Sequence, residues 1–232
     1  MKNTLIGATF ILLTTSFTGN AGAETRETGP FHSIMVSSKI EAELVLSKTS
    51  YVETDFENEP ESSLIVEVID SVLKIRLKTV PRKDARLNMK IHYTGDLRAL
   101  ETDGRASLWS GEDLYFANSL EVKLYNGGEM RFSLFCDSLS ATISQGSVIY
   151  LTGEARSEQV KVNTGATFSG YEFRTARAYV TASGGGKAKV SASKYLNANA
   201  SSKGFIGYTG DPEKVDEKTS LMGEVMKTSL EE

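Results

Sequence analysis

Only one cysteine, two histidines, four prolines and one tryptophan stand among the 232 residues. A lone cysteine excludes an intramolecular disulfide. Cys136 shares its alternation with Met130, Phe132 and Leu134 and reads as a buried thiol behaving as a small hydrophobe. His32 and His92 lie far apart, outside any ligand spacing such as H-E-x-x-H, and each reads as an ordinary strand or loop residue. No G-x-S-x-G elbow occurs, and Gly184-Gly185-Gly186 leads into a strand-like run rather than a helix, which removes a phosphate cradle on a helix N-terminus. The 26 basic residues are outnumbered by 30 acidic ones, for a net charge of −4. No basic run stands out along the chain, and a nucleic-acid partner is not expected.

Long apolar runs are lacking beyond the N-terminus. There, Lys2, the apolar stretch Leu5 to Phe17 and the small-x-small site Ala21-Gly22-Ala23 read as a Sec-type signal peptide over 1–23, cleaved before Glu24. The apolar stretch is too short and too rich in threonine to span a bilayer. The expectation is an exported chain, periplasmic, outer-surface or secreted, and not membrane-spanning.

What the sequence does have is a repeat. Units begin near Leu97, Leu120, Leu139, Glu158, Ala178 and Leu196, a period of about 20 residues. The third position of each unit holds Ala99, Val122, Ala141, Val160, Val180 and Ala198. The fifth holds Glu101, Leu124, Ile143, Val162, Ala182 and Ala200, with mostly polar residues between. Such alternation puts one set of side chains inside and the other outside, with Glu101 alone breaking the inner column. Turn pairs follow: Asp103-Gly104, Asn126-Gly127, Gln145-Gly146, Thr164-Gly165, Gly184-Gly185 and, one place later, Lys203-Gly204. A second inner pair comes next: Met130 with Phe132, Ile149 with Leu151, Phe168 with Gly170, Ala188 with Val190, and Ile206 with Tyr208. Trp109 takes the corresponding place in the first unit. Asn-Gly also suits a hairpin, but the return of the same columns favours stacked coils. Neither the leucine-rich pattern nor the calcium-binding nonapeptide frame is present.

The chain is therefore expected to be all-β: a single-stranded right-handed parallel β-helix over 97–215, with an irregular N-terminal β cap over 24–96 and a C-terminal tail over 216–232. In the cap, strand-like stretches run 31–36, 41–46, 51–56, 64–69, 72–77 and 87–93, with a tight turn at Asp70-Ser71. The charged tail is expected to be loosely attached, with one short strand over 220–226.

Phe31-x-x-Ile34-x-Val36, Val72-Leu73-Lys74-Ile75, the strand-glycine rungs, Leu196-Asn197-Ala198-Asn199-Ala200 and the closing Gly204, Ile206, Tyr208, Gly210, Asp211 and Pro212 together resemble the bacterial family "putative auto-transporter adhesin, head GIN domain". The resemblance runs over about 31–215. It implies an exported β-helical envelope domain and carries over no catalytic residues. Tyr125-Asn126, Ser144-Gln145 and Lys203 depart from the Ser-Gly turns common there.

No catalytic, cofactor-binding or metal residue is assigned, and no cofactor is expected. The reading is a non-enzymatic, adhesin-like binding or structural protein. The alternative is a polysaccharide lyase or hydrolase built on the same scaffold. Such chemistry wants carboxylates converging on one outer face, and Glu101 with Asp103 is the candidate pair. A sugar platform would use exposed aromatics; Tyr125, Tyr150 and Tyr179 have outward phases but fall at different rung positions. The partner stays open between a cell-surface or extracellular polysaccharide and a protein, and a monomer or weak homo-oligomer is expected.

Overall fold

The computed structural model describes residues 23–116 and 118–229, so the expected signal peptide lies outside the described residues except for Ala23. The chain is all-β, a solenoid of about seven turns, with no α-helix among the described residues. The sequential turns start with β8 (Ala99–Asp103) and β9 (Ser107–Trp109), then β10 (Leu114–Tyr115) and β11 (Ser119–Leu124). Four long bent strands follow: β12 (Glu129–Ile143), β13 (Val148–Val162), β14 (Thr167–Ala182) and β15 (Lys187–Ala200). Each climbs one layer and pairs in parallel with the next along most of its length.

Alternation explains the stack. On the first flank Leu100, Val122, Ala141, Val160, Val180 and Ala198 stand in register and are all buried. On the second, Leu108, Met130, Ile149, Phe168, Ala188 and Ile206 do the same. Between the flanks sits the turn column, where Asn126, Gln145 and Thr164 take φ of 54°, 56° and 50° and the following glycines 79°, 72° and 69°. Asparagine and glycine tolerate this left-handed region best. Each turn also bonds to the next: Gly127 N–H donates to the Gln145 carbonyl at 3.0 Å, Gly146 to Thr164 at 3.1 Å and Gly165 to Gly184 at 3.1 Å.

The N-terminal half caps this solenoid out of chain order. β2 (Ser33–Ser37) and β3 (Glu41–Leu46) form a layer directly against β8 and β9. β6 (Val72–Leu77) and β7 (Arg86–Tyr93) form the layer beyond it, also in parallel. The stack is then closed by antiparallel strands, β5 (Leu64–Ile69) on β6, β4 (Tyr51–Glu57) on β7 and β1 (Ala23–Glu27) on β4. The Asp70-Ser71 hairpin turn is as the sequence suggests, with both residues at positive φ.

Three expectations need correction. Register in the first turn is one residue off: Val122 faces Leu100 and Leu124 faces Thr102, so Leu100 and Thr102 are the inner pair. Ala99 and Glu101 therefore point outward, and Glu101 breaks no column. Trp109 moves with them; Leu108 is the buried residue, and the indole is 39% exposed. A one-residue slip turns every side chain of a strand to the other face. Lastly, the chain does not leave the stack near 215. After β16 (Phe205–Thr209), β17 (Lys214–Thr219) pairs with β15 and β18 (Glu224–Lys227) pairs with β16, adding a further layer.

Candidate binding face

The corrected register creates the most distinctive outer row. Along the second flank Lys90, Glu43, Trp109, Arg131, Tyr150, Ser169 and Lys189 stack in successive layers, all with outward phase. The Arg131 guanidinium carbon lies 4.8 Å from the centre of the Tyr150 ring, a cation–π contact that holds both side chains against the wall. Tyr150 is 40% exposed, like Trp109, so both rings remain available to a ligand. Strand spacing places the Trp109 and Tyr150 backbones about 10 Å apart, with Arg131 in the layer between. The row ends in a second such pair, Lys189 Nζ at 5.6 Å from the Tyr171 ring. Trp, Tyr and Arg are the side chains that dominate binding interfaces, because a large rigid surface combines with directed donors.

The other aromatic candidates lie elsewhere. Tyr179 is on the first flank, edge-on to Tyr195 at 5.6 Å, and the Tyr195 hydroxyl donates to Asp216 at 2.7 Å. Tyr125 sits at the turn corner, its N–H on the Thr102 carbonyl. The three tyrosines share no stripe, but Tyr150 gains partners that sequence reasoning missed. The signal was there: the alternation Leu100, Thr102, then Leu108 puts Trp109 in phase with Arg131.

Glu101 and Asp103 do share the outer side of β8. Burial raises the Glu101 carboxyl above its ordinary value; Lys123 counters this, and Asp103 and Glu121 add to it. Asp103 instead accepts a 2.6 Å hydrogen bond from Asn126 Nδ2 at the turn. His32 contacts Ser33 at 3.1 Å, whereas His92 stacks beneath Tyr51 at 3.9 Å and lies 3.6 Å from Glu53. The two are not brought together. Among the described residues no group of three or more His, Cys, Asp or Glu is placed to hold a metal ion.

The chain is an all-β solenoid with an aromatic–arginine row on one outer flank, and sequence comparison gives it a family. The chain matches the family "putative auto-transporter adhesin, head GIN domain" over residues 30–212, and it belongs to that family. Solved structures share the fold. A "putative adhesin" from Bacteroides fragilis has a TM-score of 0.75 at 15% identity, covering 89% of this chain and 96% of that one. A "putative lipid binding protein" from Parabacteroides distasonis has a TM-score of 0.71 at 20% identity, covering 91% and 98%. A "putative adhesin" from the same species gives 0.69 at 20% identity, covering 89% and 96%. No curated protein matches the chain.

Proposed function

We propose that this chain is an exported, non-catalytic, adhesin-like protein of the bacterial envelope whose Trp109–Arg131–Tyr150 row contacts a cell-surface or extracellular polysaccharide. The observation that carries the reading is the row itself. A part-exposed indole and a phenol ring that carries the guanidinium on one face stand beside each other, and Arg131, with Glu129 3.7 Å away, can donate to hydroxyl or carboxylate oxygens. Stacking on the apolar face of a sugar ring and hydrogen bonding at its rim need these two chemistries side by side. Membership of an adhesin-type family is consistent with this role.

Retention on a panel of immobilised cell-wall and extracellular polysaccharides tests the reading. Trp109→Ala and Tyr150→Ala should each weaken retention about fivefold or more, the cost expected of a central aromatic. Retention unchanged in both variants would remove the row from the contact. Turnover of a polysaccharide, lost in Glu101→Gln or Asp103→Asn with the fold intact, would establish the enzymatic alternative.

A further inference from the structure

The turn column ends in an irregularity. Where the later layers close with tight turns, the layer of β6 and β7 closes with a long connection, 78–85. Between this loop and the turns at Ser38–Lys39 and Gly104–Arg105 lies an open hollow of about 750 Å³. Five basic residues line it: Lys39, Lys78, Arg82, Lys83 and Arg105. Among the described residues no aspartate or glutamate does.

This concentration of one sign runs against the chain as a whole, in which acids outnumber bases. The five come from three separate segments, which is why no basic run marks them in the sequence. All five are exposed, and none is in an ion pair among the described residues. By contrast Arg76, Arg86 and Lys90, on the neighbouring strands, each have a glutamate within 4 Å. Nearby groups satisfy part of the site without neutralising it. Lys78 Nζ donates to the Ser62 carbonyl at 2.6 Å, and Glu59 accepts from the Arg82 backbone N–H at 3.4 Å. Holding like charges together costs energy unless a counter-charge visits them.

We propose that this hollow binds a phosphate-type polyanion, with guanidinium groups from Arg82 and Arg105 and ammonium groups from Lys39, Lys78 and Lys83 as its donors. Planar guanidinium forks match phosphate oxygens two at a time, and the lysines supply adaptable point charges around them. Val80, 93% exposed at the loop tip, stands beside the donors. An apolar tip flanked by cations is the arrangement that also meets a lipid headgroup layer. The chemistry is therefore a phosphate group, carried on a lipid or free in solution. The site is independent of the polysaccharide face and does not rest on it.

Two probes on the full mature chain separate the sources: tripolyphosphate, followed by calorimetry, and vesicles with and without an anionic phospholipid, followed by co-sedimentation. The double variant Lys78→Gln with Arg105→Gln should weaken binding roughly 30-fold, at about fivefold per charge removed. Lys187→Gln with Lys203→Gln, two exposed lysines outside the hollow, should change it little and controls for net charge. Val80→Ser weakens vesicle binding alone if the phosphate is a lipid headgroup, and neither probe if it is a free phosphate. Circular dichroism confirms that each variant keeps its strands. Both double variants losing affinity equally, binding as tight to uncharged vesicles as to anionic ones, or no binding of either probe at low salt would overturn the proposal.

Discussion

Inside the solenoid Thr175 Oγ1 donates to Glu158 Oε1 at 3.4 Å, and the other carboxylate oxygen, Oε2, is buried without a partner. Glu158 occupies a column held by Leu120, Leu139, Ala178 and Leu196 in other layers and is only 1% exposed. Burial holds its carboxyl well above the usual range, and the Thr175 hydrogen bond offsets this only in part. Burial thus favours the neutral acid, because an unpaired charge there would lose its hydration.

Stability should therefore carry a pH signature. A group whose folded state holds its proton more tightly than the unfolded chain favours folding at low pH. The Glu158 contribution is full below about 4.5, the ordinary value, and is lost as pH rises toward the raised folded value. Glu158→Gln should remove that part of the slope, visible as a melting-temperature gain over wild type that grows as pH rises above about 5. Glu158→Leu should go further and stabilise at neutral pH by about 1–3 kcal/mol, since it also removes the unpaired oxygen. A Glu158→Gln difference that stays flat with pH would show that the carboxyl titrates normally.

Cys136 offers a chemical readout of the same corner. The thiol is half-buried rather than fully enclosed, and this burial still pushes it up to about 12, with the Asp137 carboxylate adding to the rise. At about pH 8 only about one molecule in ten thousand then holds the thiolate, the reactive form. A chromogenic disulfide reagent should label the native protein at a small fraction of the rate seen in denaturant. Equal rates would mean that Cys136 is open to solvent.

The backbone has its own strict positions. Gly153 has a φ of 107°, and a Cβ added there would come within 2.2 Å of the Leu134 carbonyl oxygen in the adjacent layer. That oxygen is part of the ladder and cannot swing aside. Gly153→Ala should cost about 3 kcal/mol or more, whereas Gly146→Ala, at φ 72° with open space around it, should cost about 1–2 kcal/mol. Chemical denaturation of the two variants checks the ranking. Equal losses would show that φ alone, and not the contact across layers, sets the requirement at Gly153.

Much of this architecture was legible because the inner columns are local and periodic. Leu120, Val122 and Leu124 alternate strictly, and Asn126-Gly127 marks the turn by its own chemistry. The first turn was misregistered because it is longer than its neighbours, and Leu97, itself buried, imitates Leu120 as a starting point. Trp109 reads as an inner residue by its place in the first unit, but its side chain follows the phase opposite to Leu108. Threading of β2 and β3 between β6/β7 and β8/β9 leaves no local mark, because parallel partners far apart in sequence are chosen by packing. The basic hollow is invisible for the same reason: Lys39, Lys78 and Arg105 become neighbours only when those layers stack.

The far end of the stack makes the last prediction. In the final layer Val215, Glu217 and Thr219 stand in register with Leu196, Ala198 and Ala200, so the inner column turns polar where it meets solvent. Asp216 takes the Tyr195 hydroxyl, and Lys227 reaches back to Asp211 at 2.6 Å, tying the layer to the chain that leads into it. An unpaired parallel edge recruits other strands unless charge or a covering segment blocks it, and this layer supplies both. The intact chain should remain a monomer or weak dimer. Removing residues 213–232 should bare the edges of β15 and β16 together with Leu196, Ala198 and Ile206, an apolar surface beside unpaired backbone groups. Light scattering over a concentration series should then show large assemblies only for the truncated chain, with its strand signal in circular dichroism retained. If the truncated protein scatters like the intact one, the final layer is not what protects that edge.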